Sequence, residues 1–296
     1  MIGKISSQEK PIMSTIPTSV TEAQFNDDIR PHLNIAKRGY ESETPLYEIF
    51  NLVLHRLHTG CQWAELPVSK DAKTREERHE PSWQTVYHHW RKWSGDGHLE
   101  KVWQASIERV KADLALSELN LDGSHALAKK GGEQVAYQAR KKGKTSNILP
   151  IVDGKGYVVA STGIIAGNHN DAFQLKEHLQ TAFKTLKSLG LSIAGAFFNA
   201  DSAFDTREGR KVCFNHHVVP TIPENKRNRK LAKRGRKRVF NTEVYKRRLV
   251  SERSRAWVHK FRALLSRFDR KVTCFLAAHH IAFALINLRH LFAPKV

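Results

Sequence analysis

The hydrophobic period of this chain changes at Glu118. That change limits the fold to a helical unit followed by a mixed α/β unit. Ahead of it, Leu46, Ile49, Phe50, Val53, Leu54 and Leu57 follow i, i+3, i+4 spacing between a Thr44-Pro45 start and a Gly60 stop. Residues 69–80 are charged and read as an exposed loop. Ser82 can cap a second helix with Trp83, Val86, Trp90 and Trp93 inward. A third helix runs from about His98 to Leu116. Five of the six tryptophans fall between positions 63 and 103. The spacing therefore predicts a small all-α, helix-turn-helix-like domain over 41–116. It reads either as a DNA-docking module, with the second helix and its Arg91 and Lys92 toward DNA, or as a plain bundle with a basic face. Residues 1–40 are expected to be a flexible, irregular lead and lack the apolar run of a signal peptide.

After Glu118 the alternation is that of strands. ELNLD, ILPIVD and YVVASTGI are predicted strands, with DGKG (153–156) as the hairpin turn between the last two. Asp171 and Gln174 have capping-box spacing for a helix that ends at Gly190. A strand over LSIAGAFFNAD, a short helix and a strand over HVVPTIP follow. The prediction is an α/β unit over 117–296, a mixed sheet flanked by helices. Residues 272–292 are strongly apolar but carry three histidines, an Asn and an Arg, which suits a buried helix and not a membrane span.

Residues 243–270 read as one basic helix. Its apolar stripe is Trp257, Val258, Phe261, Leu264, Leu265 and Phe268. A second face gathers Tyr245, Arg248, Glu252 and His259. Two further acids stand at the ends of predicted strands: Asp122 after Leu121, and Asp201 after the run ending in Ala200. Two strand-end acids and one helix acid can converge on divalent metal ions, which take oxygen ligands and act on phosphodiesters. Each acid would serve equally as a cap, a turn residue or one half of a surface ion pair.

The charge balance narrows the partner. Lys plus Arg number 49 against 29 Asp plus Glu, a net +20, which points to nucleic acid first and an anionic membrane second. The basic insert, 224–241, concentrates Lys226, Arg227, Arg229, Lys230, Lys233, Arg234, Arg236, Lys237 and Arg238. Such a run suits phosphate contact without sequence reading. Arg140, Lys141, Lys142 and Lys144 form a second cluster, able to hold substrate near Asp122 if its loop folds back. Cys61, Cys213 and Cys274 are far apart and without CxxC spacing, so we expect a reducing cytoplasm, no zinc site and no disulfide framework. The chain has no GxxxxGK[ST] or GxGxxG loop, so a nucleotide cofactor is not expected. On residues alone, a strand-transferring enzyme, a nuclease and a DNA-binding protein without catalysis all stay open.

Several segments together resemble a known family. RLHTGCQWAELP and SWQTVYHHWRKWSGDGHLEKVW, LDGSHALAKKGGE, RKKGKTSNILPIVDGKGYVVA, GIIAGNHNDA and FFNADSAFD, with Tyr245, Arg248 and Glu252, are similar to bacterial insertion-sequence transposases of the DDE type, the group named after insertion sequences four and five. The resemblance spans roughly residues 40–292. It implies an RNase H-like catalytic core, with Asp122, Asp201 and Glu252 as catalytic residues and metal ligands. It further implies two Mg²⁺ ions, with Mn²⁺ as a substitute, and double-stranded DNA partners: terminal inverted repeats and a target. A homo-oligomer on DNA, no membrane and a place on the bacterial nucleoid in the cytoplasm complete the expectation. The family's last motif position is Lys or Arg. Here it falls on His259, with Lys260 adjacent and about 100° further round a helix. Asp205 lies close to Asp201, which is preferred because it directly follows the apolar run.

Overall fold

The computed structural model describes residues 16–33, 44–225 and 240–293. Five helices come first: α1 (Glu22–Asp28), α2 (Leu46–Thr59), α3 (Ala72–Glu77), α4 (Trp83–Gly95) and α5 (His98–Arg109). Strands β1 (Glu118–Leu121), β2 (Ser124–Ala128), β3 (Ala136–Gln138), β4 (Gly143–Ile148), β5 (Pro150–Asp153), β6 (Val158–Ser161) and β7 (Ile165–Ala166) follow. Then come α6 (Leu175–Ser188), β8 (Phe197–Asn199), α7 (Arg207–Asn215) and β9 (Val219–Thr221). The chain ends with α8 (Thr242–Lys246), α9 (Leu249–Val258), α10 (Arg262–Leu265), β10 (Ser266–Arg267) and α11 (Val272–Leu288).

The central sheet has the order β6-β5-β1-β8-β9. β5 and β6 are the antiparallel hairpin that DGKG closes, whereas β1, β8 and β9 run parallel. This is the RNase H-like mixed sheet. A second sheet, β10-β2-β4-β3, rises from the segment directly after Asp122. Its strands β2, β3 and β10 are short, and their half-exposed residues give little alternation to read.

Apolar α11 is the hub. Its side chains from Phe275 to Leu288 are buried almost without break. Asn287 knits three elements together: its Oδ1 accepts from Val158 N at 2.8 Å, and its Nδ2 donates to Ser106 Oγ at 3.1 Å. Trp103 donates from Nε1 to the Val158 carbonyl at 2.9 Å and stacks on His280. Helices α2, α4 and α5 therefore share one continuous hydrophobic core with the sheet. Among the described residues no helix is long and apolar enough to cross a membrane. Cys213 and Cys274 are buried and Cys61 half-buried, all as free thiols.

The third helix ends at Arg109 and not near Leu116, and three further expectations change here. The lead is not irregular throughout: Thr21 closes a capping box on α1, and Val20, Phe25, Ile29 and Leu33 are buried. That run of four spaced apolar residues was too short to stand out by periodicity. Within the expected loop 69–80, Asp71 accepts from Thr74 N and caps the short helix α3. Residues 243–270 are not one helix. Val250 N and Ser251 N bond to Arg247 O and Arg248 O, three residues back, and divide α8 from α9. Phe261 is extended and stacks on His58, which ends the path of α9 before α10. Leu265 and Phe268 consequently point outward, 42% and 45% exposed.

Candidate active site

β1 and β8 pair in parallel with Asn120 opposite Asn199. Asp122 and Asp201 each stand two residues past this pair, just beyond the C-terminal ends of the two neighbouring strands. A buried bond from Asn199 Nδ2 to Asn120 Oδ1, 2.9 Å, ties the two strands together two residues before the acids. Asp201 caps the turn Ser202–Phe204 through its bond from Ala203 N. Asp205 is committed elsewhere: it pairs with Arg210 at 2.8 Å and accepts from Asn225 N at 2.9 Å.

Glu252 arrives on the first turn of α9. This helix lies close over the β5–β6 hairpin because Gly156 has no side chain there. Its φ is +91°, and a Cβ would stand 2.8 Å from Ser254 Oγ, the hydroxyl that donates to Gly156 O. Burial raises the Asp122 carboxyl above its ordinary range. Arg255 and Arg248 pull it back, and the nearby Glu252 charge pushes it up. Arg255 stands 2.9 Å from Asp122 Oδ2, and Arg248 stands 3.8 Å from Glu252. The Arg248 guanidinium also lies 5.4 Å from the centre of the Tyr245 ring. Tyr245, Arg248 and Glu252 thus form a chain of contacts even though the helix that was to carry them is broken.

Arg255 is the residue that sequence reading missed. It is three positions after Glu252 and seven after Arg248, the spacing of one helix face, so the signal was present. His259 accounts for the departure at the last motif position. It is half-buried and shares a hydrogen bond of 3.2 Å with Ser124 Oγ, two residues past Asp122. Burial, then Arg255 and Lys141, lower its pKa, which favours the neutral ring in the DNA-free protein. Lys260 is exposed beside it. Asp171 does not cap α6. Gln174, in the left-handed region, precedes that helix without a side-chain cap bond. The Asp171 carboxylate instead meets His125 at 3.4 Å and Asn147 Nδ2 at 3.1 Å, and His125 holds its pKa down against the effect of burial.

Arg140, Lys141, Lys142 and Lys144 lie exposed on the turn before β4 and on its first residues. Arg140 helps to lower the pKa of Asp171, and Lys141 that of His259. Arg91 and Lys92 sit apart from the acids on α4, Arg91 bonding to Tyr87 Oη at 3.3 Å. Lys226, Arg227, Arg229, Lys230, Lys233, Arg234, Arg236, Lys237 and Arg238 lie outside the described residues.

Asp122, Asp201 and Glu252 offer only carboxylate oxygens, the donors that hard divalent cations prefer. A desolvated Asp122 with a guanidinium on its outer oxygen is a position that asks for positive charge. The residues fit a divalent metal, although among the described residues no group of three ligands is already gathered around one point.

Two family models match the chain. One, described as a putative transposase of the IS4/5 family, covers residues 20–103. The other, a DDE superfamily endonuclease, covers residues 120–287 and so spans all three acids. Similar solved structures include the Mos1 transposase paired-end complex with left transposon end. It is 11% identical, with 84% of this chain and 80% of that chain covered and a TM-score of 0.28. A pre-cleavage Mos1 transpososome is also 11% identical, with 89% and 84% covered and the same TM-score of 0.28. No curated protein matches the sequence.

Proposed function

The chain belongs to the DDE superfamily of endonucleases and is a transposase, and from that premise we propose that Asp122, Asp201 and Glu252 are its catalytic carboxylates. The observation that carries this reading is the parallel register that brings Asp122 and Asp201 to adjacent strand ends, with Glu252 close enough to act on the Asp122 carboxyl. The DDE superfamily depends on divalent metal. Here two Mg²⁺ ions, replaceable by Mn²⁺, would be held by these three side chains, and when bound they supply activation of the attacking oxygen and stabilisation of the leaving one.

The remaining steps belong to the chain's own groups. Arg255 leaves Asp122 and Arg248 leaves Glu252 as a DNA phosphate enters, and both forks can then bind its oxygens in pairs. Tyr245 stays against Arg248 and fixes its direction. Neutral His259, bonded to Ser124, holds the segment after Asp122 still. The exposed cations Arg140, Lys141, Lys142, Lys144 and Lys260 hold the duplex beside the acids, while the run from Lys226 to Arg238 adds affinity without reading bases. Arg91 and Lys92 contact the DNA beyond. Water cleaves the transposon end at the inverted repeat, and the freed 3′-OH attacks target DNA at the same acids, within a homo-oligomer that brings two ends together.

Product analysis tests the proposal. A labelled duplex carrying the element's inverted repeat is incubated with supercoiled target DNA in Mg²⁺ or in EDTA. Target-joined product in Mg²⁺ alone is expected. Cleaved ends that never join to target would make the protein a nuclease and overturn the strand-transfer step.

A further inference from the structure

A second cavity among the described residues lies away from the acids. It is a groove of about 1440 Å³ between the 61–65 turn and α4 on one side, and the segments around 130–133 and 268–271 on the other. Its second wall is tightly built. Glu133 N bonds to Arg270 O at 2.9 Å, and Val272 N, at the start of α11, donates to Glu133 Oε2 at 2.8 Å. Gly132 permits this contact: its φ is +131°, and a Cβ there would stand 2.4 Å from Arg270 O. The buried pair Arg56–Asp269, 3.0 Å, ties α2 to the same segment.

The lining combines rings with cations. Trp83 is half-buried and makes no ring–ring or cation–ring contact among the described residues. Phe268 presents its ring from the second wall and is 45% exposed. Arg91, Lys130, Arg270 and Lys271 are exposed around them, and none forms an ion pair among the described residues. One half-buried ring and one exposed ring, neither of them stacked on another ring among the described residues, do not suit a duplex, whose base faces are covered by their neighbours in the stack. They suit bases that are no longer paired, because every base presents a π-face and the cations can follow the strand's phosphates.

Resting on the DNA-cleaving function above, we propose that this groove binds an unpaired stretch of DNA strand, with bases against Trp83 and Phe268 and phosphates on Arg91, Lys130, Arg270 and Lys271. β2 leads from beside Asp122 to the rim of the groove, on the order of 20 Å away at strand spacing. Cleavage at the acids produces strand ends that can fray over such a distance. The groove gives one of them a place away from the reacting phosphate.

The test uses the full chain without metal and reads fluorescence anisotropy of labelled oligo-dT, about a dozen nucleotides long, beside a blunt duplex of unrelated sequence. Trp83→Leu and Phe268→Ala are each expected to weaken oligo-dT binding about fivefold or more, up to about a hundredfold, and to change duplex binding less than about twofold. Phe268 is exposed, so its variant folds normally and guards against a misfolded Trp83→Leu. Glu252→Gln is expected to bind oligo-dT like wild type, which separates this site from the catalytic assignment. Oligo-dT affinity within twofold of wild type in both aromatic variants, or an equal loss on duplex, would overturn the proposal.

Discussion

At the scale of single residues, two of the three acids stand against arginines. The Asp122–Arg255 contact puts a cation where a divalent ion would otherwise be drawn, and Arg248 does the same more loosely for Glu252. Arg255→Gln removes that competitor. Mn²⁺ affinity of the DNA-free protein is therefore expected to rise a few-fold to about tenfold, since a partly exposed pair is worth on the order of 1 kcal/mol. Titration calorimetry reads this directly, and unchanged or weaker Mn²⁺ binding would count against it. The two strand-end acids were legible in the sequence because each follows an apolar run. Arg255 was not picked out: its spacing from Glu252 and Arg248 was readable, but the segment offers several arginines and its contact with Asp122 is tertiary. Choosing Asp201 over Asp205 from its place after the strand agrees with the geometry, in which Asp205 is committed to Arg210 and Asn225.

At the scale of elements, most helices could be read from caps and periodicity, α4 behind Ser82 and α2 ahead of Gly60 above all. The 243–270 segment could not. Its helical pattern is continuous, and what breaks it is tertiary: α9 must lie on the hairpin while Phe261 turns back to His58. The near approach at Gly156 makes the hairpin turn a support of the helix that carries Glu252. Gly156→Ala meets both a strained φ and the Ser254 hydroxyl, so it is expected to cost about 2 kcal/mol or more in urea unfolding. It should also lower cleavage by displacing Glu252. Wild-type stability in that variant would mean α9 is not held as described. In α11, burial lowers the pKa of His279 to about 4 and of His280 to about 3, from an unfolded value near 6.5. The unfolded chain binds more protons between those values, so stability is complete above about pH 6.5 and falls as the pH drops toward 4. His280→Phe, which keeps a ring on Trp103, should lose less stability than wild type between pH 7 and pH 5. An identical loss in both proteins would remove His280 from the cause.

For the whole molecule, a net +20 on 296 residues sets the terms of DNA binding. Each neutralised phosphate contributes about −0.9 to the slope of log affinity against log salt concentration. Replacing the nine cations from Lys226 to Arg238 with Gly and Ser is expected to flatten that slope by several units, up to about eight, while Mg²⁺-dependent cleavage persists at low salt. A slope unchanged by the replacement would show that the run does not touch the backbone. Charge pointed to nucleic acid first and a membrane second, and the family resemblance implied the core. What stayed hidden was the joining of the parts: a buried α11 that fuses the helical unit to the sheet, and a second sheet whose short strands carry no readable alternation. The central claim is that Asp122, Asp201 and Glu252 act together. Its most direct test is single-turnover cleavage of a labelled inverted-repeat duplex in Mg²⁺ by wild type, Asp122→Asn, Asp201→Asn and Glu252→Gln, with DNA binding measured in parallel. Loss of about a thousandfold or more in each variant with binding retained is predicted; near-wild-type cleavage by any one of them would contradict the account.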